Sequence, residues 1–263
     1  MKRNLIKIEI SRKVLIITLN DPENQNTLSE NMIKELNEAF NDASKNNKVK
    51  VIVLKSTGQI FCAGHNLKDI NSKRLEKDRG KKYFKKLIKN CSNLMLNIIK
   101  NPKPVIASID GIATAAGCQL VATCDLAYAS YGSKFATPGV NIGLFCSTPM
   151  VALSRNIKNK LAMEMLLTGN LINAKKAYEL GLINNHFQSK DLNKNVFKIA
   201  EKISSKSSQT LKFGKKAFYK QKEMSLRAAY NYTSEIMLQN MLDLDSKEGI
   251  KAFIEKRNPK WKN

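Results

Sequence analysis

The chain has 263 residues, of which 43% are hydrophobic and 25% are charged, and its formal net charge at pH 7 is +23. This composition excludes a disordered or fibrous protein. The positive charge is large enough to attract phosphate-bearing molecules, but it does not define a fold. The five cysteines form no Cys-x-x-Cys pair, which argues against a metal site and favours a reducing compartment. We therefore expect a cytoplasmic protein without a bound metal.

Strands and helices alternate in the first half of the chain. In chain order, the predicted elements are a hairpin at residues 5–10 and 13–19, a helix from residue 30, a strand at 49–56, a helix at about 77–99, and strands at 104–109 and 125–130. Ser29 is in position to cap the first helix, and Asp125 is expected to support the start of the last strand. This order predicts an α/β core with ligand-binding loops at the ends of its strands.

The second half of the chain is predominantly helical. Beyond about Ser147, "LAMEMLLTG" and "AKKAYELGL" predict helices, and amphipathic segments continue from Asp191 to the end. Only "LINNHF" is typical of a strand. We divide the chain into a core of residues 1–195 and a helical region of residues 196–263 that packs on the core or on a neighbouring subunit. The apolar segment 104–130 is interrupted by polar residues, so no membrane span is predicted.

Two loops rich in small residues follow predicted strands of the core. In "FCAGHNLKDI", Asn66 can cap a short helix, and in "TAAGCQL" a helix begins near Ala116 or Gly117. The first N–H groups of a helix have no partner within it, and small residues let a ligand approach the backbone closely. Two such groups facing one cleft would form an oxyanion hole for a carbonyl or thioester oxygen.

Motifs spread over nearly the whole chain resemble those of the crotonase, or enoyl-CoA hydratase/isomerase, family. They are "NDPENQNTL", "FCAGHNLKDI", "KPVIASIDGIATAAGCQLVATCDLAYAS", "FATPGVNIG", "LAMEMLLTG" and "FIEKRNPKW", in the family's order. The segments "ATAAGCQL" and "PGVNIGLFCSTP" resemble one subgroup in particular. The resemblance implies a spiral of βαβ units with a C-terminal helical trimerisation region, assembled as a homotrimer or a dimer of trimers.

The resemblance also implies a site for an acyl-CoA thioester, with coenzyme A as part of the substrate and no separate cofactor. It assigns the oxyanion N–H groups to His65 and Ala116. The other residues implied to bind the substrate are Asn24, Gln25, Ala63, Gly64, Asn66, Leu67, Ala115, Gly117, Pro138, Leu144 and Phe145. The reaction implied is hydration of a trans-2-enoyl-CoA in fatty-acid metabolism.

The chain departs from the family at the two glutamates that position and activate water. One position holds Gln119 and the other Gly139, and a segment beginning "CSTPMV" replaces a glycine-rich segment. An amide can hold a water molecule but cannot take its proton, and glycine has no side chain. His65 would titrate near neutrality and is the candidate substitute. We expect Cys62, Cys118 and Cys146 to be small buried residues, and not nucleophiles.

The departures leave several functions open. An isomerase, a thioesterase or another enolate-forming enzyme would use the same oxyanion hole with a different acid or base. A non-catalytic acyl-CoA-binding protein would bind tightly without turnover. An RNA-binding protein would be consistent with the net charge of +23, but no RNA-binding motif supports it, so nucleic acid is not the expected partner.

Overall fold

Ten strands and eleven α-helices make up the computed structural model, which describes residues 4–262. The strands are β1 (Ile6–Ser11), β2 (Val14–Leu19), β3 (Val51–Ser56), β4 (Ile60–Cys62), β5 (Val105–Ile109), β6 (Ile112–Thr114), β7 (Leu126–Ser130), β8 (Lys134–Ala136), β9 (Ile172–Asn173) and β10 (Asn185–Phe187). The helices are α1 (Glu30–Lys45), α2 (Leu67–Lys73), α3 (Lys81–Lys100), α4 (Ala116–Thr123), α5 (Ser147–Leu153), α6 (Asn159–Thr168), α7 (Ala174–Leu180), α8 (Ser189–Ser204), α9 (Ser208–Gln221), α10 (Leu226–Met241) and α11 (Leu244–Ile254).

The strands form two sheets, and the chain alternates between them. The larger sheet has the order β1-β2-β3-β5-β7-β10, in which only β1 is antiparallel to its neighbour. The smaller sheet has the order β4-β6-β8-β9, with β9 antiparallel. The consecutive pairs β3/β4, β5/β6 and β7/β8 each contribute one strand to each sheet before a helical segment follows. The predicted α/β spiral is therefore confirmed, although each turn contains two strands where one was expected.

The larger sheet is covered on both faces, which explains its nearly continuous apolar strands. In β3, Ile52 and Leu54 point into the main core between the elements of the spiral. Val51 and Val53 point to the other face, where Val196 of α8 packs against them. Successive side chains of a strand alternate between faces, so one apolar run supplies both cores. The predicted boundary between residues 195 and 196 falls within α8, the helix that covers this sheet.

Local boundaries differ from the predicted ones by a few residues. The turn of the first hairpin consists of Arg12 and Lys13, both with positive φ. The predicted strands had placed this turn at Ser11 and Arg12. Ser29 caps α1 as predicted, since its side chain accepts a hydrogen bond in the first turn. This helix continues to Lys45 through the polar segment 41–45, in which Ala43 is still buried.

An ion pair joins the C-terminal helices to the larger sheet. Asp125 accepts hydrogen bonds from the backbone N–H of Val105 at 2.7 Å, from Lys215 Nζ at 2.6 Å and from the Tyr219 hydroxyl at 2.9 Å. Lys215 also donates to the carbonyl of Ile98 at 2.9 Å. We call Asp125, Lys215 and Tyr219 the anchor cluster. Asp125 was expected to support the start of the strand that follows it, but its side chain binds the first residue of the neighbouring strand β5 and fixes α9 to the core.

Candidate functional site

A cleft of about 810 Å³ lies where the two small-residue loops meet α3 and the segment around residues 138–149. Most residues that the sequence assigns to a site line this cleft. They are Asn24, Gln25, Ala63, His65, Asn66, Leu67, Ala115, Ala116, Pro138, Gly139, Leu144 and Phe145. The remaining three, Gly64, Gly117 and Gln119, are buried and are not among its lining residues.

The backbone N–H groups of His65 and Ala116 lie beside this cleft without an acceptor. Among residues 4–262, neither group donates a hydrogen bond. The surrounding backbone is well fixed, since the N–H of Leu28 donates to the Gly64 carbonyl at 2.7 Å and the Thr114 hydroxyl donates to the Ala63 carbonyl at 3.2 Å. Two unpaired donors on a fixed backbone are suited to bind an oxygen atom that carries negative charge.

Small residues allow the two loops to touch. A Cβ atom added at Gly64 would lie 2.9 Å from Ala115 Cβ and 3.1 Å from Ala116 N. A Cβ atom added at Gly117 would collide with the carbonyl of Cys62 at the end of β4. The two donors are therefore brought together by direct backbone packing, which explains why this part of the sequence contains so few bulky residues.

The residue before α4 has a strained backbone. Ala115 has φ 50° and ψ −119°, a combination that is nearly confined to glycine. Its N–H donates to the carbonyl of Ala136 at 3.0 Å, and its own carbonyl accepts from the N–H of Gln119 at 3.0 Å. These bonds hold the strained conformation of the residue that directly precedes the unpaired N–H of Ala116. Such strain is concentrated at functional sites in proteins.

Burial disfavours the charged form of His65. Its ring is half-buried, and Nδ1 donates to the carbonyl of Leu28 at 3.0 Å. Burial lowers the pKa of His65, and the bond to Leu28 opposes this shift only in part. The pKa of His65 is therefore shifted below its usual value, a shift that the sequence does not reveal because it does not show how far the ring is buried.

Gln119 is enclosed in the first two turns of α4. Its side chain belongs to a residue that is 4% exposed, and Oε1 has no hydrogen-bond partner among the described residues. A buried polar atom without a partner costs about 1–3 kcal/mol, so such atoms are rare unless a ligand or a water molecule pairs with them. Gln119 thus occupies the family's first glutamate position, and its amide oxygen is available to accept a hydrogen bond.

At the second glutamate position, the backbone closes over the space that a side chain would need. A Cβ atom added at Gly139 would lie 2.6 Å from the carbonyl oxygen of Leu144 and 2.9 Å from Cys146 Sγ. A carboxylate cannot be restored here by substitution alone, since the Leu144 backbone would have to move. The segment that replaces the family's glycine-rich one begins at Cys146, and this residue packs against Gly139.

Four of the five cysteines are buried away from the cleft, as expected for small core residues. Burial raises the pKa of Cys62, Cys91 and Cys118 to about 12, so these thiols are not ionised at neutral pH. Burial also raises the pKa of Cys124. Cys146 is buried as well, as expected, but it lines the cleft.

Several lining residues were not identified from the sequence. Phe84, Leu87 and Ile88 of α3 form one wall, and Lys68 and Arg74 also line the cleft. The apolar face of α3 was the available signal, but periodicity alone does not distinguish a core-facing side chain from one that faces a cleft.

A model of the family described as "Enoyl-CoA hydratase/isomerase" matches residues 9–263. The chain belongs to this family. Enoyl-CoA hydratase domain-containing protein 3, mitochondrial, from Mus musculus is 44% identical over 245 residues, which are 93% of this chain and 80% of the relative. The crystal structure of the human domain-containing protein 3 has a TM-score of 0.93 at 42% identity and covers 98% of this chain and 100% of its own. The crystal structure of the Mycobacterium smegmatis enoyl-CoA hydratase has a TM-score of 0.93 at 43% identity, and the match covers 99% of this chain and 100% of that structure.

These relatives confirm the predicted subgroup but not the predicted location. Relatives from five vertebrates, at 42–44% identity, are all named mitochondrial. The expectation of a cytoplasmic protein is therefore wrong. That expectation was based on cysteines that suggested a reducing environment. More than one cellular compartment is reducing, so the cysteines do not identify the cytoplasm.

Two further findings concern the described residues. Over residues 4–262, no helix is long and apolar enough to cross a membrane. Within the same range, no three His, Cys, Asp or Glu side chains are grouped so that they could hold a metal ion.

Proposed function

We propose that the cleft binds an acyl-CoA thioester and that the N–H groups of His65 and Ala116 hydrogen-bond its carbonyl oxygen. The proposal rests above all on these two unpaired donors beside one cleft. Negative charge that develops on the thioester oxygen, as in an enolate or a tetrahedral intermediate, would be stabilised there. Because Ala115 fixes the orientation of the Ala116 N–H, the donor needs no rearrangement when the charge appears.

The character of the cleft also supports coenzyme A as the carrier. Lys68 and Arg74 supply positive charge for phosphates, and the chain as a whole carries a net charge of +23. Leu67, Ile142 and Leu144 line the same cleft and are exposed to solvent. A ligand with anionic phosphates at one end and an apolar acyl chain at the other matches this combination.

The residues at the two glutamate positions bear on which reaction the cleft supports. The enzyme acts on a trans-2-enoyl-CoA of fatty-acid metabolism, and hydration by the two-glutamate mechanism is weak or absent because Gln119 cannot take a proton and Gly139 has no side chain. These two substitutions favour a second candidate, an isomerase, thioesterase or other enolate-forming enzyme that uses the same oxyanion hole. A protein that binds acyl-CoA without turnover is the non-catalytic alternative.

Replacing Ala116 by proline tests the oxyanion hole. The change removes the N–H at the first position of α4; because Ala115 lacks the extended backbone that a residue before proline prefers, only variant protein that circular dichroism shows to be folded is compared. We expect turnover of a trans-2-enoyl-CoA to fall by about 10²–10³-fold, or, if the native protein has no turnover, thioester binding measured by calorimetry to weaken. Ser208→Pro places proline at the first position of α9, outside the cleft, and is the matched control. Unchanged activity and binding in a folded Ala116→Pro protein would contradict the assignment.

We also propose that the chain assembles as a homotrimer or a dimer of trimers through its C-terminal helices. Large apolar side chains of α10 and α11 are exposed in the single chain, among them Met237, Met241, Phe253 and Ile254. An apolar surface of this kind is typical of subunit interfaces. Sedimentation equilibrium would test the assembly, and a monomer at micromolar concentration would contradict it.

A further inference from the structure

Positive charge is concentrated beside the cleft, in α2, the first turns of α3 and the loop between them. Residues 67–89 contain ten Lys and Arg against three Asp and Glu, so they account for +7 of the chain's net charge of +23. One of the carboxylates, Glu76, is paired with Lys73 at 2.7 Å, and another, Asp78, accepts the N–H of Gly80 at 2.9 Å. We call residues 67–89 the basic rim, since several of them line the cleft.

In α3, lysines of the basic rim are gathered on one face of the helix. Lys81, Lys85 and Lys89 recur every four residues and are all exposed. Ile88 follows Lys85 by three positions, so the two are neighbours on the helix surface. Ile88 is 49% exposed and lines the cleft. The charged face of α3 therefore borders the mouth of the cleft.

The loop between α2 and α3 adds an exposed apolar side chain to the same surface. Leu75 is 87% exposed, more than any other large apolar side chain of residues 4–262. The preceding residue, Arg74, is held against α3, because its guanidinium carbon lies 5.7 Å from the ring centre of Phe84. Arg74 and Phe84 both line the cleft, so Leu75 projects among cations next to its mouth.

We propose that the basic rim binds the surface of an anionic lipid bilayer, with Leu75 inserted among the headgroups and the mouth of the cleft turned towards the lipid. Clusters of Lys and Arg are attracted to anionic lipids, and an apolar side chain beside them is buried at the boundary between headgroups and acyl chains. A nucleic acid would match the charge, but its phosphate backbone offers no apolar surface to Leu75. The contact is at the bilayer surface and needs no spanning helix.

This binding does not depend on the proposed function. If the cleft does hold an acyl-CoA, the orientation brings its mouth to a surface into which acyl chains insert.

Sedimentation with lipid vesicles tests the proposal. The full chain is mixed with vesicles of phosphatidylcholine alone, or of phosphatidylcholine with about one-third phosphatidylglycerol, and the bound fraction is measured over a range of salt concentrations. We expect binding to the anionic vesicles to be at least about ten-fold tighter and to weaken as salt is raised. Leu75→Ser should lower the affinity but leave its salt dependence intact, because it removes only an apolar contact.

A charge-reversed α3 locates the binding surface. Lys81→Glu, Lys85→Glu and Lys89→Glu in one chain should reduce affinity for the anionic vesicles at least about ten-fold. None of these lysines lines the cleft, so acyl-CoA binding, measured by calorimetry without vesicles, should be retained. That measurement shows that the variant is folded, and it reports on the proposed function separately from this inference.

The matched control reverses three exposed lysines at the same spacing on α8, which covers the opposite face of the larger sheet: Lys190→Glu, Lys194→Glu and Lys198→Glu. The change in net charge is identical, and affinity for anionic vesicles should fall by no more than about two- to three-fold. Equal losses in the two triple variants would overturn the proposal, since total charge and not the basic rim would then attract the vesicles. Equal binding to both kinds of vesicle would overturn it as well. Binding of single-stranded RNA without binding of anionic vesicles would overturn it in favour of a nucleic acid.

Discussion

Polar groups are fully hydrogen-bonded in the anchor cluster, but they are left without partners on the floor of the cleft. In the anchor cluster, both oxygens of Asp125 are hydrogen-bonded and Lys215 Nζ has three acceptors. On the cleft floor, by which we mean the lining residues His65, Ala115 and Ala116, two N–H groups are unpaired and one backbone is strained. Full pairing stabilises the fold, whereas unpaired groups are available to a ligand.

Stability and function therefore depend on different parts of the same spiral. Buried polar groups are normally paired, and each exception needs a reason. Two of the exceptions, the N–H groups of His65 and Ala116, lie beside one cleft, whereas other unpaired buried atoms such as Ser56 Oγ and His186 Nδ1 do not line it. Substitutions in the anchor cluster should therefore affect unfolding more than binding, and substitutions on the cleft floor should do the reverse.

The largest effect is expected for Lys215→Met. Lys215 is the buried partner of Asp125, with a side chain that is 7% exposed, and its loss leaves the carboxylate without its cation. Breaking a buried pair by removing one partner destabilises proteins by about 3–5 kcal/mol. We expect a loss of this size in the free energy of unfolding measured with urea, while acyl-CoA affinity per folded molecule is retained.

Arg12→Met is the control for Lys215→Met, since it removes a cation from an exposed pair. Arg12 Nη1 lies 2.8 Å from Glu201 Oε1, and its side chain is 73% exposed. Exposed pairs contribute about 0–1 kcal/mol. Equal losses in the two variants would show that the anchor cluster has no special role.

The larger sheet could be predicted because its strands are long enough to show a pattern. The apolar run at β3 is buried on both faces, and the segment that forms β5 follows a clear helix end. The smaller sheet was missed because β4, β6 and β8 have three residues each, too few for an alternation to be recognised. Their pairing depends on contacts between distant segments, which local sequence does not encode.

The candidate site was located by motifs, but its chemistry depends on three-dimensional contacts. The sequence identifies Gly139 as a departure from the family, yet only the fold shows that the Leu144 backbone and Cys146 fill the space beside it. Likewise, the sequence cannot predict that Ala115 takes a backbone conformation suited to glycine, or that burial lowers the pKa of His65.

Ala115→Gly should stabilise the protein. A residue in this region of φ/ψ space stores about 1–3 kcal/mol of strain, which glycine relieves. Glycine also makes the unfolded chain more flexible, which offsets about 0.5–1 kcal/mol. We expect a net gain of about 1 kcal/mol in the free energy of unfolding, measured with urea.

Ala122→Gly, the same chemical change within α4, is the contrasting control and should destabilise by about 1 kcal/mol, since glycine is unfavourable inside a helix. A loss of stability in both variants would mean that the conformation of Ala115 is not strained.

The smallest effect is expected for the pH dependence of stability in His65→Asn. Because burial lowers the pKa of His65, the unfolded chain binds a proton first as the pH falls below about 6.5. The native protein should therefore lose stability between pH 6.5 and the lower pKa of the folded state. Asparagine can keep the donor to the Leu28 carbonyl but does not titrate, so the variant should match the native protein at pH 8 and lose less stability at pH 5.5. Urea unfolding at both pH values measures the difference. Equal losses of unfolding free energy in the native protein and the variant would show that the His65 ring is exposed to water.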